Sequence, residues 1–166
     1  MTKRILIFGN SGAGKSTLAK AIAREAGLPH LDLDTLAWEP EMPPKRKSLV
    51  DSGDLITAFT RNNDSWVVEG CYTDLLELLA DDANKIIYMN LPVEQCQANA
   101  RSRPWEPHKY ASKEAQDAGL AMLLAWIADY PVRDDVFSQQ AHQRFYDNFT
   151  GEKEMILQNK NNSQGV

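Results

Sequence analysis

The apolar run Ile5-Leu6-Ile7-Phe8 stops abruptly at Gly9, and the next eight residues read Asn10-Ser11-Gly12-Ala13-Gly14-Lys15-Ser16-Thr17. A short apolar run with a sharp stop predicts a buried strand over Lys3 to Phe8. From Lys15 to Ala26 the residues are strong helix formers. Leu18, Ala19, Ile22, Ala23 and Ala26 recur at helical spacing on one face, and Gly27 and Pro29 end the pattern. Strand, glycine-rich turn and helix in that order leave few folds open. Glycine lets the backbone approach an anion closely and adopt left-handed dihedrals. The helix N-terminus adds free N–H groups and a positive dipole end. Lys15 supplies a point charge, and Ser16 a hydroxyl suited to a hard divalent cation. The spacing Gly9, Gly14, Lys15, Ser16 is therefore that of a loop built around the phosphates of a nucleotide, contacted by Gly9 through Thr17. The plainer alternative, a glycine turn that only ends a strand, leaves the lysine and the hydroxyl unexplained.

The rest of the chain repeats the alternation. Strands are predicted at His30 to Asp32, Trp66 to Glu69, Lys85 to Met89, and within Phe145 to Phe149. Helices are predicted within 48 to 62, over Asp74 to Ala80 with Thr73 as cap, from Pro92 to near Arg101, from Ser112 to about Tyr130, and over Asp134 to Arg144. Pro40, Pro43 and Pro44 mark residues 35 to 47 as loop, and Pro104 and Pro107 mark another. Alternating strands and helices imply an α/β fold, a parallel sheet with helices on both faces. One domain is expected over 1–158, with a polar tail over 159–166. Ligands of such sheets bind beyond the carboxyl ends of the strands, so the residues just after each strand are the candidates.

After the second strand stands "LDLD". Asp32 and Asp34 lie two apart and face one side of an extended chain. One of the two suits Mg²⁺, held through water, and the other the proton of a substrate hydroxyl; simple capping of a strand end is the alternative. After the third strand Glu69 precedes Gly70, Cys71 and Tyr72, placed either to position the water shell of Mg²⁺ or to act as a base. After the fourth strand and its helix, "RSRPWEPHKY" carries Arg101, Arg103 and Lys109 in a loop bordered by prolines. Cations on a mobile lid, near 102–112, would stabilise the charge that develops in phosphoryl transfer and exclude water. A solvated basic helix end is the plain alternative. "PPKRK" at 43 to 47 is a candidate anion clamp or a solvated loop.

Several classes are excluded. The formal net charge of −5 over 166 residues argues against nucleic acid as a general partner. No apolar stretch nears the roughly 20 residues of a membrane span. Lys3-Arg4 leads into only four apolar residues, so a secretion signal is not expected. Cys71 and Cys96 are isolated, and His30, His108 and His142 are far apart, so a zinc site or disulfide framework is not expected and a cytoplasmic setting is. "NK" at 84–85 lacks the aspartate of a guanine-binding box and precedes its strand.

With these residues in place, the sequence resembles the P-loop small-molecule kinases: the shikimate kinase, gluconate kinase and nucleoside monophosphate kinase group. "GNSGAGKST" is specific to P-loop proteins. "LDLD" looks like the shikimate kinase D-x-D, and "RSRP" like that family's lid arginines. "LDLDTLAWEP…WVVEGCY" is also similar to adenylate-kinase-related bacterial topology modulation proteins. The resemblance implies a five-stranded parallel sheet of order 2-3-1-4-5 in a three-layer fold, and a lid that closes on ATP. It implies ATP and Mg²⁺ as cofactors, Ser16 and Asp32 on the metal, and Lys15, Asp34, Glu69, Arg101 and Arg103 as catalytic residues acting on an unidentified small acceptor. The chain departs from shikimate kinases after the third strand, where Glu69-Gly70-Cys71-Tyr72 replaces a glycine-rich turn. Arg46 and Arg61 are the candidates for a substrate arginine. A nucleoside monophosphate kinase and a non-enzymatic ATP-dependent switch are the alternatives.

Overall fold

The computed structural model describes residues 2–41 and 43–159. Its elements run β1 (Arg4–Gly9), α1 (Lys15–Ala26), β2 (His30–Asp32), a single 3₁₀ turn (Leu33–Thr35), β3 (Trp38–Glu39), β4 (Lys45–Arg46) and α2 (Leu49–Arg61). Then follow β5 (Trp66–Gly70), α3 (Thr73–Glu77), β6 (Lys85–Met89), α4 (Val93–Ser102), α5 (Lys113–Ala118), α6 (Leu120–Ala128), α7 (Gln139–Asn148) and β7 (Glu152–Ile156).

The main sheet is five-stranded and parallel, in the order β2-β5-β1-β6-β7. With the β3–β4 hairpin set aside, this is the expected order 2-3-1-4-5. The side chains of β1 divide between two cores, as a strand's alternation requires. Leu6 and Phe8 enter a cluster with Trp66, Val68, Tyr88 and Phe145. Ile5 and Ile7 enter the opposite one with Val67, Ile87, Cys96 and Ile127. Helices cover both faces, and both central strands read as continuous apolar runs for that reason.

Local expectations are corrected in four places. The loop expected at 35 to 47 contains the antiparallel hairpin β3–β4, with Trp38 opposite Arg46. The long helix expected from Ser112 is two helices that meet at Gly119. Glycine weakens a helix interior by about 1 kcal/mol. It also separates the polar α5, which buries nothing, from the apolar α6, which packs on α4. Phe145 to Phe149 is the end of α7 and not a strand. His142, Phe145 and Phe149 are three and four apart, a helical stripe whose Phe145 ring meets Phe8 edge-on at 5.1 Å. The fifth strand is instead the charged edge segment β7, anchored where Lys85 reaches Glu152 and Glu154 at 3.2 and 3.4 Å. Lastly, Thr73 is not a cap, since its hydroxyl donates to the Val136 carbonyl at 2.7 Å.

Asn159, placed by sequence at the start of a polar tail, is tied down. Its Nδ2 donates to the Ala13 carbonyl at 3.0 Å, and its Oδ1 accepts from Asn99 at 2.8 Å. The remainder of that tail, 160–166, lies outside the described residues. No helix among the described residues is long and apolar enough to cross a membrane.

Candidate active site

The carboxyl ends of β1, β2 and β5 open onto one cleft of about 740 Å³. The loop after β1 forms its floor. Gly12 and Gly14 hold φ of +78° and +95°, values that L side chains rarely adopt, and a Cβ on Gly12 would run into the Cys96 carbonyl. The loop's carbonyls face protein donors. Asn10 O accepts from Ala13 N–H at 3.2 Å and from Lys15 Nζ at 2.7 Å, and Gly12 O accepts from Asn99 Nδ2 at 2.8 Å. Asn10 is itself buried and donates to the Ile127 carbonyl. The first turn of α1 has no side-chain cap, so its N–H groups face the cleft without a capping acceptor. This is the geometry of an anion site at a helix N-terminus.

Beside the loop, the Ser16 hydroxyl donates to Glu69 Oε1 at 2.7 Å, and His30 Nε2 lies 2.6 Å from Glu69 Oε2. Glu69 is 2% exposed. The sequence predicts for Glu69 either a base or a support for the metal's water shell; in the fold both its oxygens are engaged, one by Ser16 and one by His30.

Asp32 is the neighbour of Glu69 on the adjacent strand β2, and Asp34 lies two residues further along the chain. Asp32 Oδ1 accepts the Asp34 backbone N–H at 3.0 Å, which begins the 3₁₀ turn. Burial, and then the charges of Asp34 and Glu69, raise the Asp32 carboxyl above the ordinary carboxylate value. A cation bound here would relieve that repulsion. For Asp34, burial acts in the same upward direction. It is outweighed by Lys109, whose Nζ lies 2.9 Å from Oδ2, and by the Tyr72 hydroxyl, which donates to Oδ1; the net shift is downward. Asp34 is thus held ionised. Lys109 is 3.5 Å from Asp32 Oδ2 as well, and the two aspartates overcome its burial to raise its ammonium. Burial pushes the Cys71 thiol up to about 12, so the cysteine stays neutral at the cleft's edge.

The loop after α4 roofs the cleft. Arg103 lines it and pairs with Glu106 at 3.2 Å. Arg101 does not line the cleft. It is exposed in the last turn of α4, beside a small crevice shared with Tyr110 and Asp117. Arg46 packs against the rings of Tyr72, Phe137 and Trp38, with its carbon centre 4.8, 5.5 and 6.0 Å from their centroids. It pairs with Asp74 at 3.2 Å and leaves a buried Nε unpartnered. Arg61 is exposed at the end of α2. Sequence reasoning noted Lys109 only as one of a basic cluster, because no local pattern brings it to an aspartate 75 residues away. His30, Tyr72 and Asn99 were missed for the same reason.

Comparison with known proteins bears on this arrangement. The AAA domain family matches residues 5–119, more than half of the chain. The uncharacterized protein YqaC of Bacillus subtilis (strain 168) is 27% identical over 92 residues, 55% of this chain and 51% of that protein. The adenylate kinase of Bartonella tribocorum is 36% identical over 58 residues, 32% of this chain and 30% of the enzyme. The chain thus spans about half the length of the first of these relatives and less of the second. The solved shikimate kinase from Acinetobacter baumannii, in complex with shikimate, has a TM-score of 0.56 at 16% identity. The match covers 99% of this chain and 88% of that one, a likeness of fold.

Proposed function

The chain belongs to the AAA domain family, and from that premise we propose that it is a P-loop small-molecule kinase, an ATP- and Mg²⁺-dependent phosphotransferase acting on a small acceptor. The observation that carries the reading is a single cleft lined both by the glycine-rich loop with Lys15 and Ser16 and by an ionised carboxylate, Asp34.

The residues suit both ligands. Lys15 and the loop from Gly9 to Thr17 take the β- and γ-phosphates. Ser16 and Asp32 offer hydroxyl and carboxylate oxygens, the hard donors Mg²⁺ requires. No cluster of three or more metal-binding side chains is found among the described residues. Mg²⁺ needs none, since it keeps water and takes phosphate oxygens around one or two protein ligands. When bound, Mg²⁺ would neutralise charge on the transferring phosphoryl group. Asp34 orients an acceptor hydroxyl. Arg103, on a lid over roughly 102–112, exchanges Glu106 for the developing negative charge. Arg101, outside the cleft, keeps a role only if the lid rearranges. Catalysis on this reading is positioning plus electrostatics.

A nucleoside monophosphate acceptor is the second reading, favoured by the stretches shared with adenylate kinases from Bartonella tribocorum and Mycobacterium sp. (strain MCS). A panel of hydroxylated metabolites and nucleoside monophosphates, scored for ADP release with ATP and Mg²⁺, tests both. A hydroxyl acceptor supports the first and a nucleoside monophosphate the second. A protein partner captured only with ATP, and no stimulating metabolite, would make the chain a switch.

A further inference from the structure

We infer that His30 is a positioning residue for the metal site, acting through Glu69 on the Ser16 hydroxyl; this rests on the kinase reading above. β2 runs parallel to β5 with His30 opposite Val67 and Asp32 opposite Glu69. His30 and Asp32 therefore share a face of β2. From there the His30 ring reaches Glu69 Oε2, two residues along the neighbouring strand, at 2.6 Å. A carboxylate only accepts, so His30 Nε2 carries the hydrogen and donates it. The other carboxylate oxygen takes the Ser16 hydroxyl hydrogen at 2.7 Å.

The consequence lies in the Ser16 oxygen. A serine hydroxyl has one hydrogen and two lone pairs. With the hydrogen committed to Glu69, the lone pairs are left for a cation in the cleft. Glu69 can hold that hydrogen only if its carboxylate keeps one rotation, and the terminal torsion of a glutamate is soft. Burial to 2% exposure does not set the rotation by itself; the second donor does. Without His30, Oε2 becomes a buried acceptor with no partner, and the carboxylate turns to share the Ser16 hydrogen or to seek water. His30 thus does for a serine ligand what a carboxylate partner does for a metal-bound histidine.

The probe is Mn²⁺, read by its electron paramagnetic resonance signal, on the full chain with a non-hydrolysable ATP analogue. Nucleotide affinity is measured separately in EDTA. His30→Leu should weaken Mn²⁺ binding to the nucleotide complex by about 10-fold, with metal-free nucleotide affinity changed by less than about twofold. His30→Gln, whose amide nitrogen reaches about as far as Nε2, should restore most of the loss. If His30→Leu does not fold, His30→Asn, too short to reach Oε2, should show the same deficit. Wild-type Mn²⁺ affinity in these variants would overturn the inference. So would an equal loss of metal-free nucleotide affinity without rescue by glutamine, which marks a general structural role. Failure of the wild-type chain to bind the analogue at all would refute the kinase reading, and this inference with it.

Discussion

Lowering the pH from 7 to 5 should destabilise this protein through one buried histidine, His142. Its ring is 0% exposed and stands edge-on to Phe8 and Tyr88, at centroid distances of 5.6 and 5.9 Å. His142 Nε2 lies 2.8 Å from the Cys71 carbonyl, which can only accept. Nδ1 therefore accepts from the Tyr130 hydroxyl at 2.6 Å, and Tyr130 in turn accepts from Tyr88 at 2.8 Å. A second proton would displace the Tyr130 hydrogen from Nδ1 and place a charge among aromatic rings. Burial accordingly lowers the His142 pKa from 6.5 to about 4. A depressed pKa contributes stability that is complete above 6.5 and is lost as pH falls toward 4. The full span is about 3 kcal/mol, and the interval from pH 7 to 5 accounts for about 2 kcal/mol of it. For a chain of this size that is a fall in Tm of about 6 °C. Urea unfolding at the two pH values measures it, with His142→Gln as the control that stays neutral throughout. The wild-type decrease should exceed the variant's by about 2 kcal/mol, since carboxylates common to both cancel. Equal decreases would refute the reasoning. The effect touches function too, because the Cys71 carbonyl lies between Glu69 and Tyr72 in the turn that supports the site.

Two further outcomes follow from the roof of the cleft. Lys109 joins that loop to Asp34 and Asp32, and so Lys109→Ala should raise amide hydrogen exchange across residues 103–112 by about fivefold, the value of a partly exposed ion pair near 1 kcal/mol; unchanged exchange would show the loop is held otherwise. Arg103→Ala should lower kcat by about 10-fold or more with a smaller change in KM for ATP, because its charge matters most as charge develops in transfer; steady-state kinetics showing only a KM effect would make Arg103 a ground-state binder.

The parallel sheet was legible wherever burial on both faces wrote a continuous apolar run, as in Ile5 to Phe8 and Trp66 to Val68. β7 was not, because an edge strand of Glu152-Lys153-Glu154 is specified by pairing with β6 and by Lys85, and neither is local. The aromatic residues of α7 drew the strand prediction to the wrong segment because a five-residue window does not separate a strand from a helical stripe. In the candidate site the phosphate loop and both aspartates could be read because each sits at the end of a strand. The links among them could not. Lys109 meets Asp34, His30 meets Glu69 and Asn159 meets Ala13 only after the chain has folded, across separations of 75, 39 and 146 residues.

Phosphoryl transfer is read by label from γ-labelled ATP, with Mg²⁺ and each acceptor found in the panel, in the wild type, Lys15→Ala and Asp34→Asn. The wild type should yield labelled acceptor. Lys15→Ala, which loses its charge at the β- and γ-phosphates, should yield none. Asp34→Asn should retain ATP binding and lower transfer by about 100-fold or more, the contribution of a positioned carboxylate. Label passing only to water in the wild type, or undiminished transfer in Lys15→Ala, would contradict the kinase reading.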